Sequence, residues 1–507
     1  MQADRGFTLS HQKVALELGF SGVLAGFTEL TIMPSNAALR HIYLHARCMD
    51  IQRVLCNGQE VRFEHTDAVQ SLALSDIHGH AQLKRDLFSA TSQGAEGELR
   101  ISLPDHLRPE RVSSGTEGNA DGEEFSMMTI RIDYVLEDVH EAIQVIQPTA
   151  DAPYRVPHMY TRPLGLNSSR CWVPCLDSLW DRCTWELEYV VPRRLSVDMG
   201  DMDDTTPEIY VISSGELTEH AMHPQNPEKS VFYYTQQVAT SVQHVAFCAG
   251  PFVMTRLSPA GLQTCETLSF CLPEHEHELR STTQFAWQAI EYISSEYGSY
   301  PFGSFKLVFV DGTHEDCHTA STLAICSSDL LHPPSVIDQA FENRHILSHA
   351  VAFQWVGINI IQKTWADTWL IHGLSQYLAS MFLRWLLGNN EYRFRMKKDC
   401  DRLCHWDIGM PPLYQAGRDE PLDPQLLSFV NLKAPLVLYL LDRRLCKMGA
   451  SLGLGRVIPK VFLQAITGEM SNNALGTHSF LRTCKKVSRA DLRLFMDQWI
   501  NGSGCPR

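Results

Sequence analysis

Residues 345–377 read HILSHAVAFQWVGINIIQKTWADTWLIHGLSQY, and the fold turns on how that string is parsed. Its first part sets His345, His349 and Phe353 one helical turn apart, and its second part brings in His372 after a spacer. Two imidazoles one turn apart on a helix, joined by a third ligand from a second helix, hold catalytic zinc with a fourth position open to water. Here the spacing is present and the chemistry is missing. Phe353, one turn after His349, has no lone pair to give. Ala350 stands beside His349, where a carboxylate would take the proton from the attacking water. Even an ion held by His349 and His372 would lack its base.

Two other metal readings deserve weighing. His345 and His349 could pair one turn earlier, with His372 as third ligand. That moves a ligand by about 5 Å along the axis, so good distances would require the second helix to move as well, and ordinary structural histidines are the simpler reading. His314-Glu315-Asp316-Cys317-His318 matches H-E-x-x-H letter for letter. Its setting argues against a helix: it follows the strand-like run FKLVFVD (305–311), opens after Gly312-Thr313, and leads into TASTLAI without helical periodicity. The position where a third, carboxylate ligand would fall is Ile337. In a chain with 22 histidines a chance match to so short a pattern is unsurprising.

The 507 residues are too many for one core and predict two or three domains. Hydrophobic residues make up 44% and charged residues 20%, the balance of an ordinary globular protein. No uninterrupted apolar run is long enough to span a bilayer, so no membrane partner is expected. The opening MQADRGFTLSHQKVALELGF places Asp4 and Glu17 where a secretory signal would be apolar. The 15 cysteines are odd in number, irregular in spacing and set in apolar runs such as VAFCAG and LSFCLP, which predicts packed, reduced thiols.

Net charge is −15, and residues up to about 253 hold essentially all of the acidic excess. Nonspecific nucleic-acid binding by that half would be opposed by its own field. The second half carries basic clusters at Arg393, Arg395, Lys397, Lys398 and Arg402, at Arg443, Arg444 and Lys447, and at Lys485, Lys486 and Arg489. Each reads first as a solvated helix face. A contact surface for nucleic acid or a partner protein requires the clusters to share one side of the fold.

Short runs of period-two alternation fill the first half: VALELGF, FTELTIM, IYLHARCMDIQRVLCNG, MTIRIDYVL, CTWELEYVVP, YVISSGEL, FYYTQQV and HVAFCAGPFVMT. They predict a large, mainly antiparallel β-domain over residues 1–255. Within it SSGTEGNADGEE (113–124) reads as a disordered acidic loop, and GDMDDTTPE (200–208) as another loop. Beyond about 256 the period changes. STTQFAWQAIEYISSEYG (281–298), SQYLASMFLRWLLG, EYRFRMKKDCDRLCHW, APLVLYLLDRRLCKMG, LGRVIPKVFLQAI and SRADLRLFMDQWI all have helical spacing. Residues 256–507 are therefore expected to form an α/β piece leading into helices.

The 345–377 string resembles the zinc helices of the gluzincin aminopeptidases, H-E-x-x-H-Q-W-F-G followed by W-L-N-E-G. Gln354, Trp355 and Gly357 match on one side, and Trp365, Asp367, Trp369, Leu370 and Gly373 on the other. Arg170-Cys171-Trp172-Val173-Pro174-Cys175-Leu176-Asp177 is similar to the R-x-x-F-P-C-x-D stretch of the same family's first domain. The resemblance implies an α+β multidomain architecture: an aminopeptidase-like amino-terminal β-domain, then a thermolysin-like domain with a degenerate zinc site. It places His318 where the family's glutamate grips the substrate amine, and Asn431 where its transition-state tyrosine stands. The site positions His349, Ala350, Phe353, His372, His318 and Asn431 are thus degenerate as a set, His349 alone keeping the family's residue, and no metal, cofactor or small-molecule substrate is expected.

One branch of that superfamily, TBP-associated factors of the general transcription factor TFIID, combines this scaffold with an erased zinc site. RCWVPCLDS, SSDLLH, WADTWLIHGLSQY and NNEYRFRMKKD are similar to that branch. The resemblance implies a nuclear, non-enzymatic scaffold subunit acting in core-promoter recognition and preinitiation-complex assembly. Its expected partners are the other TFIID subunits, with core-promoter DNA reached inside the complex. A further β-sandwich and a helical-repeat domain are expected beyond residue 507. The competing reading is an active zinc aminopeptidase with a rearranged metal site.

Overall fold

Period-two alternation needs a sheet with one face on the core, and the first part of the chain supplies three such sheets. The computed structural model describes residues 5–505 apart from 71, 73–78, 94–95, 111–124, 138, 163–166, 196–206, 260–264 and 449–452. The acidic loop expected at 113–124 and residues 200–206 of the second loop lie outside the described residues. The chain divides into two compact units, one running to Val253 and including Val310–Gly312, the other taking Met254–Phe309 and Thr313–Arg507.

The amino-terminal unit is built on an eight-stranded sheet. Its spatial order is Glu216–His223, Asn226–Ser241, Arg182–Pro192, Phe7–Leu18, Leu24–Pro34, Met128–Leu136, Asp50–Cys56 and Gln59–Glu60. Phe7–Leu18 and Arg182–Pro192 run parallel, from His11 opposite Thr184 to Glu17 opposite Val190. The neighbouring ladders are antiparallel. Burial alternates strictly along Met128–Leu136, as half-buried strands require. The run at 42–58 serves two sheets: His41–Leu44 joins a three-stranded sheet and Asp50–Cys56 the large one, with the chain turning at Cys48 (φ 54°). The helix His80–Gln93 interrupts a region expected to be all strand.

A buried charge cluster clasps this unit. Arg170 donates from Nε to Asp177 and from Nη1 to Glu98, both at 3.0 Å, and Arg47 donates to Glu98 at 2.6 Å. His45 Nδ1 accepts from the Asp177 amide, and Gln12 donates to the Pro174 carbonyl. Trp172, 3% exposed, meets Phe247 edge to face. The RCWVPCLD string is therefore a structural clasp.

In the carboxy-terminal unit a five-stranded sheet has the order Val253–Arg256, Glu266–Cys271, Ser304–Val310, Leu323–Ser327, Cys317–Ala320. All seven residues of Ser304–Val310 are buried, as a central strand covered on both faces demands. Helices Asp338–Phe353, Thr368–Leu387, Asn389–Trp406, Pro424–Lys447, Leu454–Ile466 and Thr477–Ser488 complete the unit.

Several helix boundaries differ from expectation. Residues 281–298 form two helices, Glu276–Thr283 and Ala286–Glu296, broken at Gln284-Phe285. The helix expected to open at Ala434-Pro435 opens instead at Pro424, capped by the Asp423 carboxylate accepting from Leu426 N at 2.8 Å, with Pro435 inside it. A capped start with proline in the first turn outweighs a later proline, which removes one interior bond. The stretch 488–500 holds the left-handed cap Arg489, a short helix Arg493–Phe495 and one π turn, Met496–Ile500, in place of one helix.

By length and composition Pro424–Lys447 is apolar enough to cross a membrane, although its apolar run is interrupted by Asn431, Lys433 and Pro435. Its interior identifies the reason for the apolarity. Lys433 is fully buried and bonds Asp407 at 2.8 Å, Asp442 caps Leu454 N, and Ala434 and Leu438 pack on Gly373. It is a core helix, which meets the same compositional test.

Candidate functional site

The two helices read from 345–377 are Asp338–Phe353 and Thr368–Leu387, and the residues matched around the zinc positions fix their places. Gln354, wholly buried, donates to Ala320 O and accepts from Thr322 N, both at 2.9 Å, so it pins the end of the first helix to the hairpin Cys317–Ser327. Trp355 Nε1 donates to Gly298 O at 2.9 Å and Ser299 O at 3.1 Å. Gly357 sits at φ 140°, and a Cβ there would stand 2.4 Å from the Phe353 ring.

On the second helix Asp367 forms a capping box with Thr364 and accepts from Thr477 N at 2.7 Å. Trp369 donates to Thr477 Oγ1 at 3.0 Å. Gly373 lets the helix approach Pro424–Lys447 so closely that an added Cβ would meet Ala434 Cβ at 2.9 Å. Every one of these contacts is a packing or backbone-satisfaction contact. None depends on a metal.

Three of the matched positions, His349, Phe353 and His372, come together. The Phe353 ring lies against both imidazoles, its centroid 5.6 Å from His349 and 5.7 Å from His372. His349 Nε2 bonds Ser375 Oγ at 3.0 Å, one turn along from His372. Ala350 is 1% exposed and packs in the core. Among the described residues no third His, Cys, Asp or Glu ligand atom gathers with those of His349 and His372 within reach of one ion.

Desolvation dominates the electrostatics here. It pushes His349 down to about 3, helped by repulsion from His372 and His345, and His372 down to about 4, opposed by the neighbouring Asn431 side chain. His372 Nδ1 and Asn431 Oδ1 are both buried without a hydrogen bond of regular geometry. His345 is lowered by desolvation and by Arg395, with Glu342 opposing. His318 is likewise pushed down to about 4 by burial. These imidazoles are neutral near pH 7. His349 and His372 sit beside the Phe353 ring, which suits packing.

The letter-for-letter H-E-x-x-H is not helical. His314, Glu315 and Asp316 lie in bends, and Cys317 and His318 begin the strand Cys317–Ala320, so the two histidines do not share a helical face. Sequence reasoning passed over Ser375, although its place three residues after His372 was a usable signal. It also passed over the pairing of Cys317 with Cys326.

The basic clusters are largely paired on their own helices. Arg395 bonds Glu391 at 2.7 Å and Glu342 at 3.3 Å, Lys397 bonds Asp401 at 2.6 Å, Arg402 faces Asp399 at 3.8 Å, and Arg443 bonds Asp442 at 2.6 Å. Lys398 lies over Phe394, and Arg444 over Phe495. Among the described residues Arg393, Lys398, Arg444, Lys485 and Lys486 form no ion pair, and they are divided among three helices.

No family model matches the chain. It is 34% identical, over 98% of its length, to transcription initiation factor TFIID subunit 2 of Schizosaccharomyces pombe, covering 45% of that protein. It is 28% identical to the protein of the same name from Drosophila melanogaster, over 99% of the chain and 42% of the relative. The chain thus spans less than half the length of the curated relatives it matches. Among solved structures, yeast LTA4 hydrolase in complex with bestatin superposes with a TM-score of 0.70 at 15% identity, over 100% of this chain and 70% of that one. An M1 zinc metallopeptidase from Deinococcus radiodurans superposes with a TM-score of 0.65 at 17% identity, over 99% and 95%. At such identity the structures speak for the fold: an α+β, two-domain M1 metallopeptidase architecture.

Proposed function

We propose, from the premise that this chain is a relative of the TFIID subunit 2 proteins with an M1 metallopeptidase fold, that it is a non-enzymatic scaffold subunit of TFIID. It acts in the nucleus, in core-promoter recognition and preinitiation-complex assembly, by contacts with other TBP-associated factors. Arg393, Lys398, Arg444, Lys485 and Lys486 are the basic side chains offered to acidic partners or promoter DNA within the complex.

The observation that carries this reading is the Phe353 ring lodged between His349 and His372. A catalytic zinc needs three ligands and a base. Of the matched positions, Phe353 cannot donate, Ala350 cannot accept a proton, and His349 is already bonded to Ser375. The residues present do not fit the ion. The framework around them holds because Gln354, Trp355 and Asp367 work through hydrogen bonds to backbone, Trp369 through the Thr477 hydroxyl and Gly373 through close packing. A rigid scaffold with large surfaces is reusable without its reaction.

The test pairs elemental analysis with function on one purified sample. The expected result is zinc well below one equivalent, no hydrolysis of aminoacyl reporter substrates, and co-purification of TFIID subunits with the tagged full-length protein. Stoichiometric zinc with chelator-sensitive hydrolysis would establish the aminopeptidase reading instead, and failure to recover any TFIID subunit would remove the scaffold role.

A further inference from the structure

Cys317 and Cys326 face each other across the antiparallel ladder of Cys317–Ala320 and Leu323–Ser327, as directly opposed register partners. Their sulfurs are 3.2 Å apart, the Cys326 thiol donating to Cys317. Opposed residues in such a ladder have Cα atoms about 4.5–5.5 Å apart, inside the span a disulfide bridges. Cys317 is half-buried and Cys326 buried. An accessible thiol backed by a shielded one within contact distance is the arrangement in which one sulfur is attacked and the other resolves.

We propose that Cys317 and Cys326 form a thiol-disulfide modification site, oxidised by a small-molecule disulfide such as oxidised glutathione. Cys317, as thiolate, attacks one sulfur of the glutathione disulfide; an S–S bond forms to Cys317 and glutathione thiolate leaves. Cys326 loses its proton and attacks the Cys317 sulfur, forming the cross-strand bond and releasing the second glutathione. Two protein thiols and one glutathione disulfide give one protein disulfide and two glutathione thiols. The strand pair loses two electrons and two protons, and the glutathione disulfide takes up both.

The consequence is local to the relic site. The hairpin holding the pair also holds His318 and is pinned to the Asp338–Phe353 helix by Gln354 through Ala320 and Thr322. Asp316 O accepts from Ser327 N at the mouth of the same hairpin. Oxidation would fasten the open end of the sheet edge, whose outermost strand is Cys317–Ala320. The other close thiols of the unit carry no such register: Cys400 and Cys404 are exposed on one helix.

The experiment uses the intact protein in glutathione buffers of increasing oxidised fraction, quenched by alkylation and digested with trypsin. Lys306 and Arg344 bound a single tryptic peptide, 307–344, and its only cysteines are Cys317 and Cys326, so one mass reports the pair. The expected result is loss of both alkyl labels together, a peptide two hydrogens lighter than the free dithiol, and recovery of both labels after reduction. In Cys326→Ser, Cys317 should accumulate as the glutathione mixed disulfide. In Cys317→Ser, Cys326 should remain unmodified. Retention of both labels in wild type across the series, or independent glutathione adducts on both cysteines, would overturn the proposal.

Discussion

The Phe353 ring meets the His349 imidazole edge-on, at 5.6 Å between centroids and 67° between planes. The contact is an aromatic pair, an interaction generally worth about 0.5–1.5 kcal/mol beyond burial. The site is thereby filled by side chains that stabilise each other.

Because the helices are held by contacts outside the metal positions, the ligand set should be restorable on this backbone. Phe353→His with His372→Glu supplies the two lost ligands beside His349, and Ala350→Glu the base. The triple variant is expected to take up close to one equivalent of zinc, measured by elemental analysis after dialysis, and to become chelator-sensitive in thermal unfolding. The wild type should show neither property. A triple variant that folds but holds no zinc would mean that the helix pair has drifted from the metal-binding separation.

Acid should destabilise the carboxy-terminal unit through its neutral imidazoles. Burial lowers His349 to about 3 and His318 and His372 to about 4, below the unfolded value of about 6.5. Between those limits the unfolded chain binds more protons, so stability is fully present above about pH 6.5 and is lost as pH falls toward 4 and 3. The slope is roughly 1.4 kcal/mol per pH unit for each histidine. Urea unfolding between about pH 7 and pH 5 should show it, and His349→Gln or His318→Gln should each flatten it by about one proton. An unchanged slope in both variants would show these imidazoles to be solvated.

The legible part of the fold is the part governed by local pattern. The helix pair is evident from 345–377 because the spacing of His345, His349 and Phe353 agrees with the matched positions Gln354, Trp355, Gly357, Asp367 and Trp369 around it. The alternating strands are evident for the same reason. The start of Pro424–Lys447 is hidden because Pro435 reads as a local stop, whereas the Asp423 cap that opens the helix lies earlier in the chain and shows its bond to Leu426 N only in the structure. The helix His80–Gln93 has no acidic residue in its first turn and no basic residue in its last to announce it. At the site the missing ligands are visible in the letters, whereas the Ser375 hydrogen bond and the Cys317–Cys326 pairing need the tertiary register.

Gly373 offers a direct test of helix separation. With Ala434 Cβ 2.9 Å and Leu438 Cδ1 3.0 Å from the place its Cβ would occupy, Gly373→Ala must push the two helices apart. The expected cost is about 1–3 kcal/mol, typical of overpacking. Adding Ala434→Gly removes one of the two close contacts, so the double variant should be more stable than the sum of the single effects allows. Strict additivity in denaturant titrations would place the strain elsewhere.

Arg170 is the comparable test in the amino-terminal unit. Its guanidinium is the shared partner of Asp177 and Glu98, whose side chains are 0% and 2% exposed. Arg170→Ala takes the shared cation from two buried carboxylates, with Glu98 left to Arg47 and the Asp177 carboxylate left to Gln243. Removing one partner from a buried ion network costs about 3–5 kcal/mol. Hydrogen exchange should therefore accelerate throughout the strand Arg182–Pro192, and the unit's unfolding transition should move to lower denaturant. Replacing Asp177 by Leu in the same chain removes one unpaired charge and should recover part of the loss. If Arg170→Ala costs less than about 1 kcal/mol, the cluster is hydrated in solution and does not clasp the unit.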